Sequence, residues 1–462
     1  MKAAVVSAVR LPALSQQEIA RRWASRPGNA VVRVQDRGAA VDWVFLTPLA
    51  SWCCQDGTKA ELERSFQEFF GVIDDLSVIS GNGIPYCAGF ISYEAGAVVW
   101  GGAPARHGQR TVPYGCCTLY QTVLECRTEG SVEYQVQYEE LPSFFQSASA
   151  PGAWAEQVGG SLTAFGDLAE NVEQYGSLSA KEFGDAVNAA RESIRNGDVY
   201  QVNLSIRFSL PPGTESLREI GVRFLQGEAA DRRALISEGN ALLLSASPEL
   251  FYTCRGNSIR CSPIKGTRPR VGMPDIDNIR VRELQASAKE KAELAMIVDL
   301  VRNDLNRICV PGSVQVDCHA RVEQHHSVFH TVTDVTGILE SRVTAENIWS
   351  SLFPCGSITG APKRSAVAQI RGLEPHLREA YCGAIGMFGF DMTAHWNVAI
   401  RTAMVTPERS YLYAGSGITI DSDPLDEYQE VLTKLKPSLS TVLEGPRHTT
   451  VGPQKGPRRR SA

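Results

Sequence analysis

Apolar positions along this chain recur in two periods, and the changes between them mark its elements. Ala30-Val31-Val32-Arg33-Val34 and Trp43-Val44-Phe45-Leu46 are apolar runs of strand length, and Gly89 to Gly96 reads as a glycine-bounded strand and turn. Residues up to about 140 therefore read as mixed α/β. Residues 142–165 are rich in Ser, Ala, Gly and Pro with few periodic apolar positions, which predicts a surface linker. A helix follows: Ser179-Ala180-Lys181-Glu182 is a capping-box pattern, Phe183, Val187, Ala190 and Ile194 share one face, and Asn196-Gly197 stops it. Val202, Leu204, Ile206 and Phe208 then alternate as in a half-buried strand. Leu242-Leu243-Leu244 reads as a fully buried strand, and Tyr252 to Cys261, centred on Gly256-Asn257, as a hairpin. One long proline-free helix is expected over about Val281 to Asn303, another from Pro362 to Gly372, and a last from about Pro424 to Leu435. Beyond Pro437 the chain turns polar and basic, which predicts a disordered tail.

Length and composition narrow the class. The 462 residues leave room for roughly three domains, and 43% hydrophobic with 21% charged residues is the balance of a globular protein. A net charge of −5 gives no footprint for nucleic acid. No stretch approaches the apolar length of a membrane span, and the apolar run from Met1 stops by Arg10, short of a signal peptide. The expectation is a cytoplasmic protein without membrane or nucleic-acid partners. None of the 12 cysteines, which include Cys53-Cys54 and Cys116-Cys117, falls in a C-x-x-C arrangement, and buried reduced thiols are expected.

Four segments carry candidate chemistry. Glu290 and Glu293 lie three apart on one predicted helix, and Glu427 and Glu430 three apart on another, so each pair shares a helix face. Turned toward each other, the two faces would offer hard oxygen ligands suited to Mg²⁺; read alone, each is a solvated face. Gly356-Ser357-Ile358-Thr359-Gly360-Ala361-Pro362-Lys363 is a glycine-rich turn opening a helix, an anion cradle or simply a cap. Ser262 to Arg270 holds Lys265 between Pro263 and Gly266; neighbouring cations such as Lys363 or Arg401, or burial, would make that amine a nucleophile, although a surface lysine fits the spacing equally. Ile400-Arg401-Thr402, followed by a glycine turn at Gly415-Ser416-Gly417, could clamp a carboxylate.

Taken in order, these segments resemble the chorismate-utilising enzymes, the family of anthranilate, aminodeoxychorismate, isochorismate and salicylate synthases. Residues 170 to 436 carry it: Gly197 to Ser205, Ser247-Pro248-Glu249-Leu250-Phe251, the Lys265 turn, Ala292-Glu293, Ile297 to Asp304, the glycine cradle, Ile400-Arg401-Thr402, Ala414 to Gly417 and Glu427-Tyr428-Gln429-Glu430. The resemblance implies an α+β fold, with two β-sheets packed face to face and helices outside. It implies an N-terminal region over 1–140, a linker over 141–169, a catalytic region over 170–437 and a tail over 438–462. Its implied chemistry is amination of chorismate with Mg²⁺ as cofactor and ammonia from a separate glutaminase subunit. Glu293 and Glu430 would hold the metal, with Glu290 and Glu427 acting through bound water. Lys265 would be the nucleophile and Glu249 the acid. Arg401, Thr359, Ala361, Gly415, Ser416, Gly417, His330 and Lys434 would line the substrate. Family members that activate water carry lysine where this chain has Gln201, and anthranilate synthases carry alanine where it has Lys265, which points to the aminodeoxychorismate-forming members. Anthranilate formation, and a non-catalytic chorismate- or tryptophan-binding role, remain the alternatives. Met387 stands where relatives usually have a tyrosine.

Overall fold

The computed structural model describes residues 2–24, 28–36, 39–55, 58–80, 83–96, 110–139, 146–147, 171–212, 215–226, 232–238, 240–325 and 328–439. The basic tail lies outside these residues from 440 onward, and so does the expected linker apart from 146–147.

The mixed α/β class is as expected. All described strands join into one network of twenty, and two runs diverge from the long strand Gly115–Arg127. One passes through Ala39–Cys54, Ala30–Asp36, Ala234–Glu238, Ala241–Ser245, Thr402–Val405 and Ser410–Ile418 to Gln201–Leu210. The other passes through Pro85–Ile91, Ala384–Gly389, Thr393–Val398, Leu250–Arg255, Ser258–Ser262 and Val328–Ile338 to Ile264–Pro269. N-terminal strands are thus woven between C-terminal ones rather than forming a separate sheet.

Local sequence explains much of this. Val202, Leu204, Ile206 and Phe208 are buried as their alternation predicts, and Leu242 to Leu244 are inaccessible. Arg255 pairs with Ser258 across Gly256, whose φ of 59° favours glycine. Ser179 caps the Ala180–Arg195 helix with the reciprocal Glu182 bond.

The long helix expected over Val281 to Asn303 is instead two, Pro274–Ala286 and Ala288–Asn306. Ser287 separates them in an extended conformation, and its hydroxyl accepts from Glu290 N. Ser287-Ala288-Lys289-Glu290 repeats the tetrapeptide that caps at Ser179, so the break was written in the sequence but hidden by the apolar periodicity running across it.

Nine described cysteines are free and buried as expected, and one pair departs from that. Cys53 and Cys116 are direct cross-strand partners with Cα atoms 4.3 Å apart, and they form a disulfide. Chain size removes the need for a cross-link, but strand register still brings two β-carbons within reach. No helix among the described residues is long and apolar enough to cross a membrane.

Candidate active site

The far ends of the two strand runs meet. Ile264–Pro269, at the end of one, carries Lys265; Gln201–Leu210 and Ser410–Ile418, at the end of the other, carry Gln201 and Gly417. A β-carbon on Gly417 would fall 2.4 Å from Gln201 Nε2 and 3.9 Å from Lys265 Nζ, so glycine is what lets these three meet.

Lys265 is half-buried with its ammonium turned inward, donating to Ser357 O at 3.4 Å. Burial pushes its pKa below the ordinary lysine range, against the pull of Glu293; Lys434 pushes it further down, while Glu249 and Glu430 oppose. This places carboxylates from both predicted glutamate helices, Ala288–Asn306 and Pro424–Leu439, around one amine. The first helix packs on the Lys265 strand and on Val328–Ile338, and the second on Ser410–Ile418.

Glu249 is buried, and burial pushes it up to about 7 against the Ser357 hydroxyl and Lys265. Its Oε1 has no hydrogen-bond partner. A carboxyl poised near neutrality beside a depressed lysine has the chemistry to act as an acid beside a nucleophile. The cation beside Lys265 is Lys434, in place of the Lys363 suggested by the sequence. Lys363 is buried elsewhere, 2.6 Å from Asp304 and 2.8 Å from Leu352 O, and ties the glycine turn to the end of the first glutamate helix.

The other glutamates differ. Arg268 Nη1 holds Glu290 Oε1 at 2.7 Å, while Glu290 Oε2 is buried without a partner and lies 2.6 Å from where a Gly266 β-carbon would be. Glu427 is buried, with Oε1 accepting from Ser422 Oγ at 2.6 Å. Glu430 is exposed and paired with Lys434, whose Nζ also reaches Gly415 O at 3.2 Å. Among the described residues no three of these carboxylates gather ligand atoms within 4.8 Å of one another. An oxygen-only set supplying one or two carboxylates, one with an orphaned oxygen, nevertheless fits a hard cation that completes its shell with water and substrate.

His330 is buried, with Nδ1 3.0 Å from Thr267 Oγ1 and 3.3 Å from Gly266 O, and no partner at Nε2. Burial drives it down to about 3, helped by Arg401 and His325, so it is a neutral ring. Arg401 sits at a positive φ of 47°, a conformation that non-glycine residues adopt at a cost. Burial lowers its pKa, and its guanidinium makes no hydrogen bond or ion pair among the described residues. Thr359 hydroxyl is already engaged, donating to Cys355 O at 2.9 Å. Ala361 pairs with Gln201 across the strands and is followed by the Lys363–Leu373 helix. Gly415 to Gly417 lie in a strand rather than in the expected turn. Gly415 allows close approach, since its β-carbon would meet Leu204 O at 2.6 Å. Ser416 points to the opposite side from the glycines, and its buried hydroxyl has no partner. Met387 is buried in Ala384–Gly389.

Sequence reasoning missed the frame beneath the cradle. Arg378 donates to Ile358 O at 2.9 Å and to Asn203 O at 2.7 Å, joining the glycine turn to the Gln201 strand. Burial alone would raise Glu374, but Arg378 beside it overrides this and holds the carboxyl low. Glu94 in turn accepts from the main-chain N–H groups of Arg378 and Glu379. Glu374 and Arg378 lie four apart but beyond the end of the Lys363–Leu373 helix, so their spacing alone gave no signal of the pair.

A sequence model of the family described as "chorismate binding enzyme" matches residues 34–440, and the chain belongs to that family. It is 38% identical over 264 residues to anthranilate synthase component 1 1 of Haloarcula marismortui, covering 57% of this chain and 54% of that one. It is also 38% identical over 259 residues to aminodeoxychorismate synthase component 1 of Salmonella typhimurium, covering 56% and 57% respectively. The chain spans about half the length of the curated relatives it matches. Its fold is similar to anthranilate synthase component I from Streptococcus pneumoniae TIGR4, with a TM-score of 0.69 at 22% identity over 88% of this chain and 93% of that one.

Proposed function

We propose that the protein is an aminodeoxychorismate synthase component I, aminating chorismate to 4-amino-4-deoxychorismate, a precursor of 4-aminobenzoate. The observation that carries this reading is a lysine, Lys265, depressed by burial and set beside the protonatable Glu249. Lys265 as free amine attacks ring carbon 2; both ring double bonds shift by one position, the bond from carbon 4 to its hydroxyl breaks, and Glu249 delivers the proton that lets it leave as water. Ammonia then bonds to carbon 4, losing a proton, both double bonds shift back and the Lys265 nitrogen leaves carbon 2. Arg401, a cation not engaged within the described residues, receives the enolpyruvyl carboxylate, with Gly415 and Gly417 leaving room and neutral His330 and the Thr359–Ala361 turn bordering the ring. Mg²⁺ bound through Glu293 and Glu430, with Glu290 and Glu427 around it, would supply positive charge opposite the ring carboxylate. Ammonia comes from a glutaminase subunit, and the setting is cytoplasmic.

Equal identity to anthranilate synthase chains makes anthranilate the competing product. Turnover with chorismate, Mg²⁺ and ammonium salt distinguishes the two. The expected product yields 4-aminobenzoate once the lyase is added and is lost in Lys265→Ala, while chorismate still binds. Fluorescent anthranilate with pyruvate release would overturn the assignment.

A further inference from the structure

Cys53, Cys116 and Glu238 come from three strands, none of which carries a residue assigned above to catalysis. Cys53 and Cys116 face each other across Ala39–Cys54 and Gly115–Arg127, and Glu238 ends the strand Ala234–Glu238. One ligand atom from each lies within 4.8 Å of the other two, the one such group among the described residues. Cys53 Sγ is 3.3 Å from Glu238 Oε1. A disulfide sulfur has no proton to donate across that gap, whereas the thiol formed by reduction would, so reduction turns this contact into one the carboxylate can use.

We propose that, once reduced, Cys53, Cys116 and Glu238 bind a thiophilic divalent cation of the Zn²⁺ type. Two soft sulfurs and one carboxylate are three of the four ligands that tetrahedral zinc takes, and water can supply the fourth because Cys53 and Glu238 are only half-buried. The electrostatics agree. Burial pushes Glu238 up to about 7, and no cation offsets it. A bound ion would provide that missing charge. The bonds balance simply: a dithiol reductant gives the disulfide two electrons and two protons, and the metal then displaces the thiol protons as two sulfur–metal bonds form. Mg²⁺, a hard ion, would not compete for such a site. Disulfide and metal are thus alternative states of the same two sulfurs.

The test is Co²⁺ titration of the full-length, reduced protein under anaerobic conditions with excess Mg²⁺. The expected result is one Co²⁺ per chain, with a thiolate-to-cobalt charge-transfer band and tetrahedral visible absorption, displaced by Zn²⁺. Cys53→Ser and Cys116→Ser should each weaken binding beyond the roughly 10–100-fold that loss of a supporting outer-shell partner costs, and Glu238→Gln by about tenfold. Circular dichroism and thermal melting of each variant would establish that it folds. The proposal is overturned if the reduced protein gives no thiolate band, if folded Cys116→Ser binds as wild type does, or if the sulfur pair stays oxidised under the reductant.

Discussion

In the proposed reaction Lys265 and Glu249 are the nucleophile and the acid, and burial shapes both. Burial favours the uncharged form of both, the free amine of Lys265 and the protonated carboxyl of Glu249. Reaction needs both forms at once, and the two apparent values belong to the pair. At constant free ammonia, kcat/KM should therefore bend near pH about 7, whichever limb that bend falls on. A profile with no bend there would remove Glu249 as the acid. Glu249→Gln should lower kcat by roughly 10²–10⁴-fold. Their flanking motifs, Ser247 to Phe251 and Ser262 to Arg270, were visible in the sequence. The orphaned oxygens of Glu249 and Glu290 were not, because they depend on neighbours from distant strands.

Elements decide where the glutamates sit. Ser287 ends one helix and opens the next, so Glu290 falls in the first turn, where the backbone N–H groups favour a negative charge. Ser287→Ala should cost about 1 kcal/mol of stability, measured by urea denaturation, and fray the turn that carries Glu290. An unchanged midpoint would show that tertiary packing alone holds this end. The sequence displayed that cap, yet a periodicity argument reads straight through a single polar residue. It misplaced Lys363 for a different reason: spacing shows that a lysine follows the glycine turn, but not that its ammonium turns back to Asp304. The glycines at 415 and 417 were read as turn-formers, when their role is to let neighbouring strands and side chains approach.

At the scale of the whole molecule, a buried carboxylate fastens the N-terminal segment to the site's supporting frame. Glu379 Oε2 accepts from Thr111 N at 2.8 Å and Val112 N at 3.0 Å. Burial, with Glu94 adding to it, raises Glu379 from 4.5 to about 7. The folded protein thus keeps a proton that the unfolded chain has lost. This contribution is complete below pH about 4.5 and disappears as pH rises through about 7. Glu379→Gln stays neutral throughout, so its Tm relative to wild type should climb between pH about 5 and about 8; a constant difference would show that Glu379 does not titrate in this way. Such long-range joins were beyond sequence pattern, which marks where strands occur but not which distant strand each one meets. They also impose an order on synthesis. Ile91 leaves the ribosome long before its partner Ala384 exists. At about 5–20 residues per second the wait is roughly 15–60 s. For that interval Pro85–Ile91 is a nascent edge with its future neighbour still untranslated, an unpaired row of backbone groups open to the wrong partner.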